Sequence, residues 1–125
     1  MEEVLERPGR RATVKVSRDE LVVFEFDLDP GAYGADEHIH KQHVDSFYVL
    51  EGELELKVDG VTVHARPGDF VPAPPFVVHA FRNASSRRTR FLNVHAPGMR
   101  FVEYIRKMDA GEDPDPAEYD SFPPP

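Results

Sequence analysis

The chain has 125 residues, with 15 Lys and Arg against 23 Asp and Glu, and a formal net charge of −8. This length suits a single domain with a genuine core, and the acidity argues against nucleic acid or an anionic membrane as a partner, because both require a basic face. No cysteine is present, which excludes disulfides, thiolate metal ligands and cysteine nucleophiles.

The charge is uneven. Six acids and no bases fall between Asp109 and Pro125, leaving 17 acids and 15 bases in residues 1–108. The body is therefore close to neutral, and the acidity belongs mostly to the C-terminal end. Residues 1–11 show no apolar stretch of the kind a secretory signal carries. No apolar run approaches the ~20 residues of a membrane helix. A cytoplasmic protein is expected.

Taken in order, residues 1–12 read as an N-terminal arm. From Thr13 the sequence becomes a series of short strands separated by turn residues, the pattern of a sandwich or barrel. Val14 and Val16 alternate in the first. Val22, Phe24, Phe26 and Leu28 share one face of the second, which Pro30-Gly31 ends. His38 to Leu50 follows, closed by Glu51-Gly52. Leu54, Leu56 and Val58 then alternate with charged residues up to Asp59-Gly60, a strong signal for a type I′ hairpin turn, and Val61 to Ala65 returns. After Pro67-Gly68 and a proline-rich corner at residues 72–75 come strands at Phe76 to Arg82 and Thr89 to Ala96. The period then changes: Phe101, Tyr104, Ile105 and Met108 recur at helical spacing, predicting one amphipathic helix over residues 99–109. Residues 110–125 contain five prolines, and their composition predicts a disordered or extended tail, with Tyr119 and Phe122 the only groups able to dock it.

All six histidines lie between residues 38 and 95. His38 and His40, one residue apart on a strand, present both imidazoles on one face. His43 and Asp45 follow, and His79 lies on a later strand. Each feature alone has a bland explanation: a His-x-His pair is often a surface accident, and an isolated histidine is often a hydrogen-bonded core residue. Together they offer the imidazole and carboxylate ligands of a first-row transition metal with positions left open. On the last strand Phe91, Asn93 and His95 share a face. His64 lies far from both groups and is expected on the surface.

The frame around these residues reads His38-Ile39-His40, four residues, Asp45, six residues and Gly52. It continues after fifteen residues with Gly68, five residues, Pro74, Pro75, Phe76, two residues, His79, three residues and Asn83. This resembles the two motifs of the cupin family, usually written G-x5-H-x-H-x3–4-E-x6-G and G-x5-P-x-G-x2-H-x3-N, over roughly residues 13–96. The resemblance implies an all-β fold, a double-stranded β-helix (jelly-roll) barrel over residues 13–98, followed here by the short helix and the acidic proline-rich tail. It further implies one divalent metal per chain (Fe, Mn, Ni or Zn) held by His38, His40, His79 and Asp45. Three positions depart from the pattern. Asp45 stands where the family has Glu and is one methylene shorter, so it binds directly, binds through water, or yields its place to His43. Phe76 replaces the second-motif glycine, so that turn is expected to be rebuilt if it requires positive φ. The opening glycine is Gly31 or Gly34, at unusual spacing.

Strand alternation around the ligands places Phe47, Val49, Phe81, Phe91 and Asn93 in the pocket, with Asp45 and His95 as candidate catalytic groups. No inward Arg or Lys lies on the motif strands, so an apolar or aromatic small molecule suits the cavity. The resemblance implies a metal-dependent, dioxygenase-like enzyme acting on an aromatic or enolic substrate. A metal-dependent isomerase or lyase, or a non-enzymatic small-molecule-binding module, is the alternative. The sequence contains no helix-turn-helix, which argues against a transcription regulator. Exposed sheet edges lead to the expectation of a homodimer.

Overall fold

The computed structural model describes residues 1–125. Its strands are β1 Val4–Arg7, β2 Arg10–Ser17, β3 Val22–Leu28, β4 Tyr33–His38, β5 Val44–Glu51, β6 Leu54–Val58, β7 Val61–Ala65, β8 Phe70–Ala73, β9 His79–Arg82 and β10 Thr89–Ala96, followed by helix α1 Phe101–Asp109. They form a six-stranded sheet in the order β1-β2-β3-β10-β5-β8 and a four-stranded sheet in the order β4-β9-β6-β7. Every pairing is antiparallel. This is the all-β jelly-roll barrel that the motif resemblance implies.

Alternation produces the packing directly. Val22, Phe24, Phe26 and Leu28 are all buried while the residues between them are half-buried, as a strand with one face on the core requires. Leu54 and Leu56 do the same on β6. Asp59 and Gly60 both take positive φ, 51° and 78°, which lets β6 and β7 pair from Val58↔Val61 outward. Asn83 holds the turn after β9: its amide donates to the carbonyls of Leu28, Asp29 and Arg87, and its oxygen accepts from Ser85. One end of the interior is filled by interlocking rings. Phe26 meets Phe91 edge-on at 5.3 Å, and Phe47 meets Phe81 at 5.2 Å.

Three segments differ from the sequence expectation. The N-terminal residues are not an arm: β1 is hairpinned to β2 through Pro8-Gly9, with Leu5 and Ala12 buried in the core. The sheet thus begins at Val4 rather than Thr13. The helix begins at Phe101 rather than residue 99, because Met99 and Arg100 sit in the left-handed region at φ 54° and 55°. The tail is ordered against the barrel. Asp115 caps a short 3₁₀ turn, Pro116–Tyr119, by accepting from Ala117 N–H at 3.1 Å. Tyr119 is buried and stacks on Tyr104 at 4.9 Å. Phe122 pairs its backbone with Ile39. At the start of this region the Asp109 carboxylate receives two hydrogen bonds from the buried Arg10 guanidinium, at 2.9 and 2.7 Å. Composition describes the average solvation of the tail, whereas two aromatic anchors and specific carboxylate partners decide its position.

Candidate metal site

The ligand-bearing segments converge because β4 pairs with β9, setting His38 opposite His79, while His40 lies between β4 and β5 and Asp45 is the second residue of β5. His38, His40, Asp45 and His79 each place a ligand atom within 4.8 Å of the others, and all but His38 are fully buried. Asp45 Oδ2 lies 3.2 Å from His40 Nε2 and 2.9 Å from His79 Nε2. The shorter Asp side chain therefore reaches the centre of the group. Its other oxygen, Oδ1, accepts from Asn93 Nδ2 at 2.6 Å.

The opposite side of each imidazole decides what this centre can hold. His38 Nδ1 donates to the Asp36 carbonyl at 2.7 Å, His40 Nδ1 to the Asp120 carbonyl at 2.7 Å and His79 Nδ1 to the Val77 carbonyl at 2.9 Å. Carbonyl oxygens only accept, so each ring donates from Nδ1 and, when neutral, turns its Nε2 lone pair inward. Lone pairs facing a carboxylate repel unless a proton or a metal cation lies between them. A divalent first-row metal fits this donor set, with carbonyl contacts of the kind that orient histidine ligands.

His43 belongs to a different group. Its Nδ1 faces Asp120 Oδ2 at 2.8 Å, and its Nε2 faces His95 Nδ1 at 2.9 Å. His95 Nε2 in turn meets Asn93 Oδ1 at 2.7 Å. With both nitrogens engaged, His43 has no free lone pair for the four-residue cluster. Asp120, His43, His95 and Asn93 form a buried line of polar contacts that ends on Asp45, in which two neutral imidazoles supply ring protons for two of the three contacts between the Asp120 and Asn93 oxygens.

The electrostatics follow from this packing. Burial would raise the Asp45 carboxyl, but His95, His40 and His79 outweigh it and hold the group well below the usual carboxylate range. Burial pushes His79 down, but its hydrogen bond to Asp45 and that charge raise it above its ordinary value. Burial, reinforced by His79, lowers His38 to about 4. Burial also lowers His95 to about 3, with Asp45 opposing. In the unfolded chain His38 and His95 take up protons near 6.5, but in the folded chain they do so only near 4 and 3. Between those values the unfolded state holds more protons, so stability falls as pH drops through this window, by several kcal/mol in all. The raised His79 acts oppositely: its contribution is complete below 6.5 and disappears as pH rises through its folded value. The metal-free protein is accordingly expected to lose urea resistance steeply between pH 6.5 and 4. A flat unfolding midpoint across that range would contradict this ordering.

A cavity of about 390 Å³ opens beside the cluster. His38, Asp45, Phe81, Asn93 and His95 line it. Phe47, Val49 and Phe91, expected in the pocket, lie instead in the packed core. The barrel is narrow enough that their side chains fill its interior, confining the cavity to the histidine end. Other lining residues come from segments that the sequence reading left outside the barrel: Arg7 and Arg10 from the N-terminal hairpin, Phe101, Tyr104 and Ile105 from α1, and Ser121, Phe122 and Pro123 from the tail. The Pro8-Gly9 dipeptide was the available signal for that hairpin. Arg10 is paired with Asp109. Arg7 donates to the carbonyls of Tyr33 and Gly34 at 3.1 and 2.8 Å and has no carboxylate within ion-pair distance. His64 is exposed and pairs with Glu53.

The two anomalous motif positions resolve differently. Phe76 keeps the left-handed conformation at φ 69° rather than rebuilding the turn. That costs about 1–2 kcal/mol for an L-residue. Its N–H donates to the His40 carbonyl at 2.7 Å, and its exposed ring meets no crowding. Gly34 is required by space, since a Cβ there would lie 2.4 Å from the Phe81 ring and carbonyl, whereas Gly31 has nothing within 4 Å and is held to glycine by its φ of +73° alone.

A family model described as the cupin domain matches residues 24–95, more than half of the chain. A quercetin 2,3-dioxygenase from Bacillus subtilis is 34% identical over 87 residues, covering 70% of this chain and 24% of that protein. The chain thus spans about a quarter of the length of that curated relative. Among solved structures, an uncharacterised protein with a double-stranded β-helix domain from Klebsiella pneumoniae is 28% identical, with TM-score 0.66, covering 76% of this chain and 83% of that one. A sugar phosphate isomerase of the cupin superfamily from Silicibacter pomeroyi is 28% identical, with TM-score 0.63, covering 71% and 60%. The motif residues, the barrel they sit in and the matched domain agree, and the chain belongs to the cupin family.

Proposed function

We propose that this chain is a metal-dependent cupin enzyme that oxidises or cleaves a small aromatic or enolic molecule in a dioxygenase-like reaction. The observation that carries this reading is the placement of His38, His40, His79 and Asp45 at the end of a largely apolar cavity. A bound first-row divalent metal supplies Lewis acidity and open coordination positions for substrate and dioxygen. The chain's own residues supply the rest. Phe26, Phe81 and Phe101 offer aromatic walls to a planar ring. Arg7, lacking a carboxylate partner, meets an anionic or carbonyl oxygen at the far side. Asp45, held ionised, serves as a ligand rather than as a base. His95 stacks on Phe101 at 3.9 Å and, with both nitrogens engaged, orients Asn93 against Asp45. Its role is positioning rather than direct proton transfer.

The likeness to a quercetin dioxygenase supports the oxidative reading. A metal-dependent isomerase working through an enediolate is the second reading, favoured by the Arg7 cation, which has no carboxylate partner, and by the isomerase neighbour. Oxygen consumption by Fe(II)-loaded protein, measured across phenolic and enolic compounds, separates the two. Uptake with at least one compound, lost on Asp45→Asn, is expected. Solvent deuterium appearing in a sugar substrate without oxygen uptake would transfer the assignment to the isomerase. Metal-loaded protein showing neither would leave a binding module.

A further inference from the structure

The tail residue Asp120 is 2% exposed and carries more of the ligand loop than any residue within it. Its carbonyl accepts from His40 Nδ1 at 2.7 Å. Its Oδ1 accepts from Lys41 N–H at 3.0 Å, and its Oδ2 accepts from Gln42 N–H at 2.7 Å and faces His43 Nδ1 at 2.8 Å. The backbone reaches this position by entering the left-handed region at φ 56°, directly after the 3₁₀ turn. Anchors flank it on both sides. Tyr119 stacks beneath α1 on Tyr104. Phe122 exchanges two 3.0 Å backbone hydrogen bonds with Ile39, the residue between the two motif histidines, and lies 4.0 Å beneath the Lys41 ammonium. Tyr119, Asp120 and Phe122 all lie outside residues 24–95 matched by the family model, while the loop they hold lies inside it.

From this geometry we infer that Asp120 is a positioning residue for the metal site, and that docking of residues 116–122 and binding of a divalent metal reinforce each other. The inference rests on the metal reading above. The Asp120 carbonyl fixes which His40 nitrogen faces the cluster. The Asp120 carboxylate holds that carbonyl in place by gripping the three residues after His40. Partners of this kind behind a histidine ligand typically contribute 10–100-fold to metal affinity. Coupling of two binding events is reciprocal, so metal must tighten the tail by the factor that the tail tightens metal.

The test uses Zn(II) as probe on the full chain, with affinity read by competition against a chromophoric chelator. Asp120→Ala is expected to weaken Zn(II) binding about 10–100-fold. Glu118→Ala, which removes an exposed tail charge two residues away, is expected to leave it unchanged. Hydrogen exchange on the unmodified protein supplies a readout that a merely structural role would not move and that needs no folded variant. Zn(II) is expected to slow exchange at the amides of Lys41, Gln42, Ser121 and Phe122. Unaltered affinity in folded Asp120→Ala, or tail exchange indifferent to Zn(II), overturns the coupling while leaving the metal site standing. A wild-type chain that binds no Zn(II) overturns the metal reading and the coupling together.

Discussion

Replacing His79 with alanine is expected to empty the metal site. Protein purified without chelators should carry about one divalent metal per chain when the four ligand groups converge as they do here. The variant should lose well over ~100-fold in affinity, more than loss of an outer hydrogen-bond partner produces. The bland alternative makes a different prediction. A core histidine serving only as a hydrogen-bond partner of the Val77 carbonyl and Asp45 would, on truncation, lower stability and leave metal content untouched. Elemental analysis of the two proteins therefore separates a ligand from a packing residue. Asp45→Asn extends the same measurement. Because Oδ2 lies among the imidazole nitrogens, loss of its charge should weaken metal binding, and unaltered content would remove Asp45 from the coordination sphere. Substoichiometric metal in the unmodified chain, unaffected by His79→Ala, would sink the metalloprotein reading.

The largest expected effect on stability comes from a position with no chemistry. Gly52 closes the first motif at φ +81°, and a Cβ there would lie 2.4 Å from the Arg88 carbonyl and 2.9 Å from Thr89 Cα. Both atoms are backbone, so neither can swing aside. Gly52→Ala combines a left-handed penalty of about 1–2 kcal/mol with overpacking of about 1–3 kcal/mol. Gly60 supplies the control. It has nearly the same φ, +78°, but open space around it, so Gly60→Ala should show the conformational penalty alone. Urea unfolding of the two variants is the measurement. Equal losses would mean that Arg88 and Thr89 yield easily and that the close approach is not what fixes this glycine.

The part of the fold legible in the sequence was the part written in period-two alternation and in turn chemistry. Val22 to Leu28, Leu54 to Val58 and Asp59-Gly60 behave as their patterns require because each is decided by neighbours in the chain. The grouping of His38, His40, Asp45 and His79 was legible for a different reason, since two spaced motifs agreed. Other features were not legible because they depend on partners far away. Leu5 follows Val4 in a charged stretch, and only its cross-strand pairing with Ala12 shows that Leu5, not Val4, is core. Arg10 reads as a surface base until Asp109 is set beside it. Asp120 looked like one more solvated tail acid. Its actual surroundings, burial opposed by the N–H groups of Gln42 and Lys41 and by His43, hold it ionised below its ordinary value. Phe76 holds a conformation its side chain disfavours because its N–H is tied to the His40 carbonyl, a partner thirty-six positions away.

The pairing of His38 with His79 has a kinetic consequence. The two residues are brought together only when β4 closes onto β9 across forty intervening positions, and Asp120 arrives from farther still. Contacts of such sequence separation form late, because chain closure precedes any gain from them. A metal therefore finds no site in the early folding chain and has little power to hasten folding. A metal held by the cluster would act on the finished barrel, slowing the escape from it, so metal loading should be felt as a longer lifetime of the native state rather than as a faster route to it.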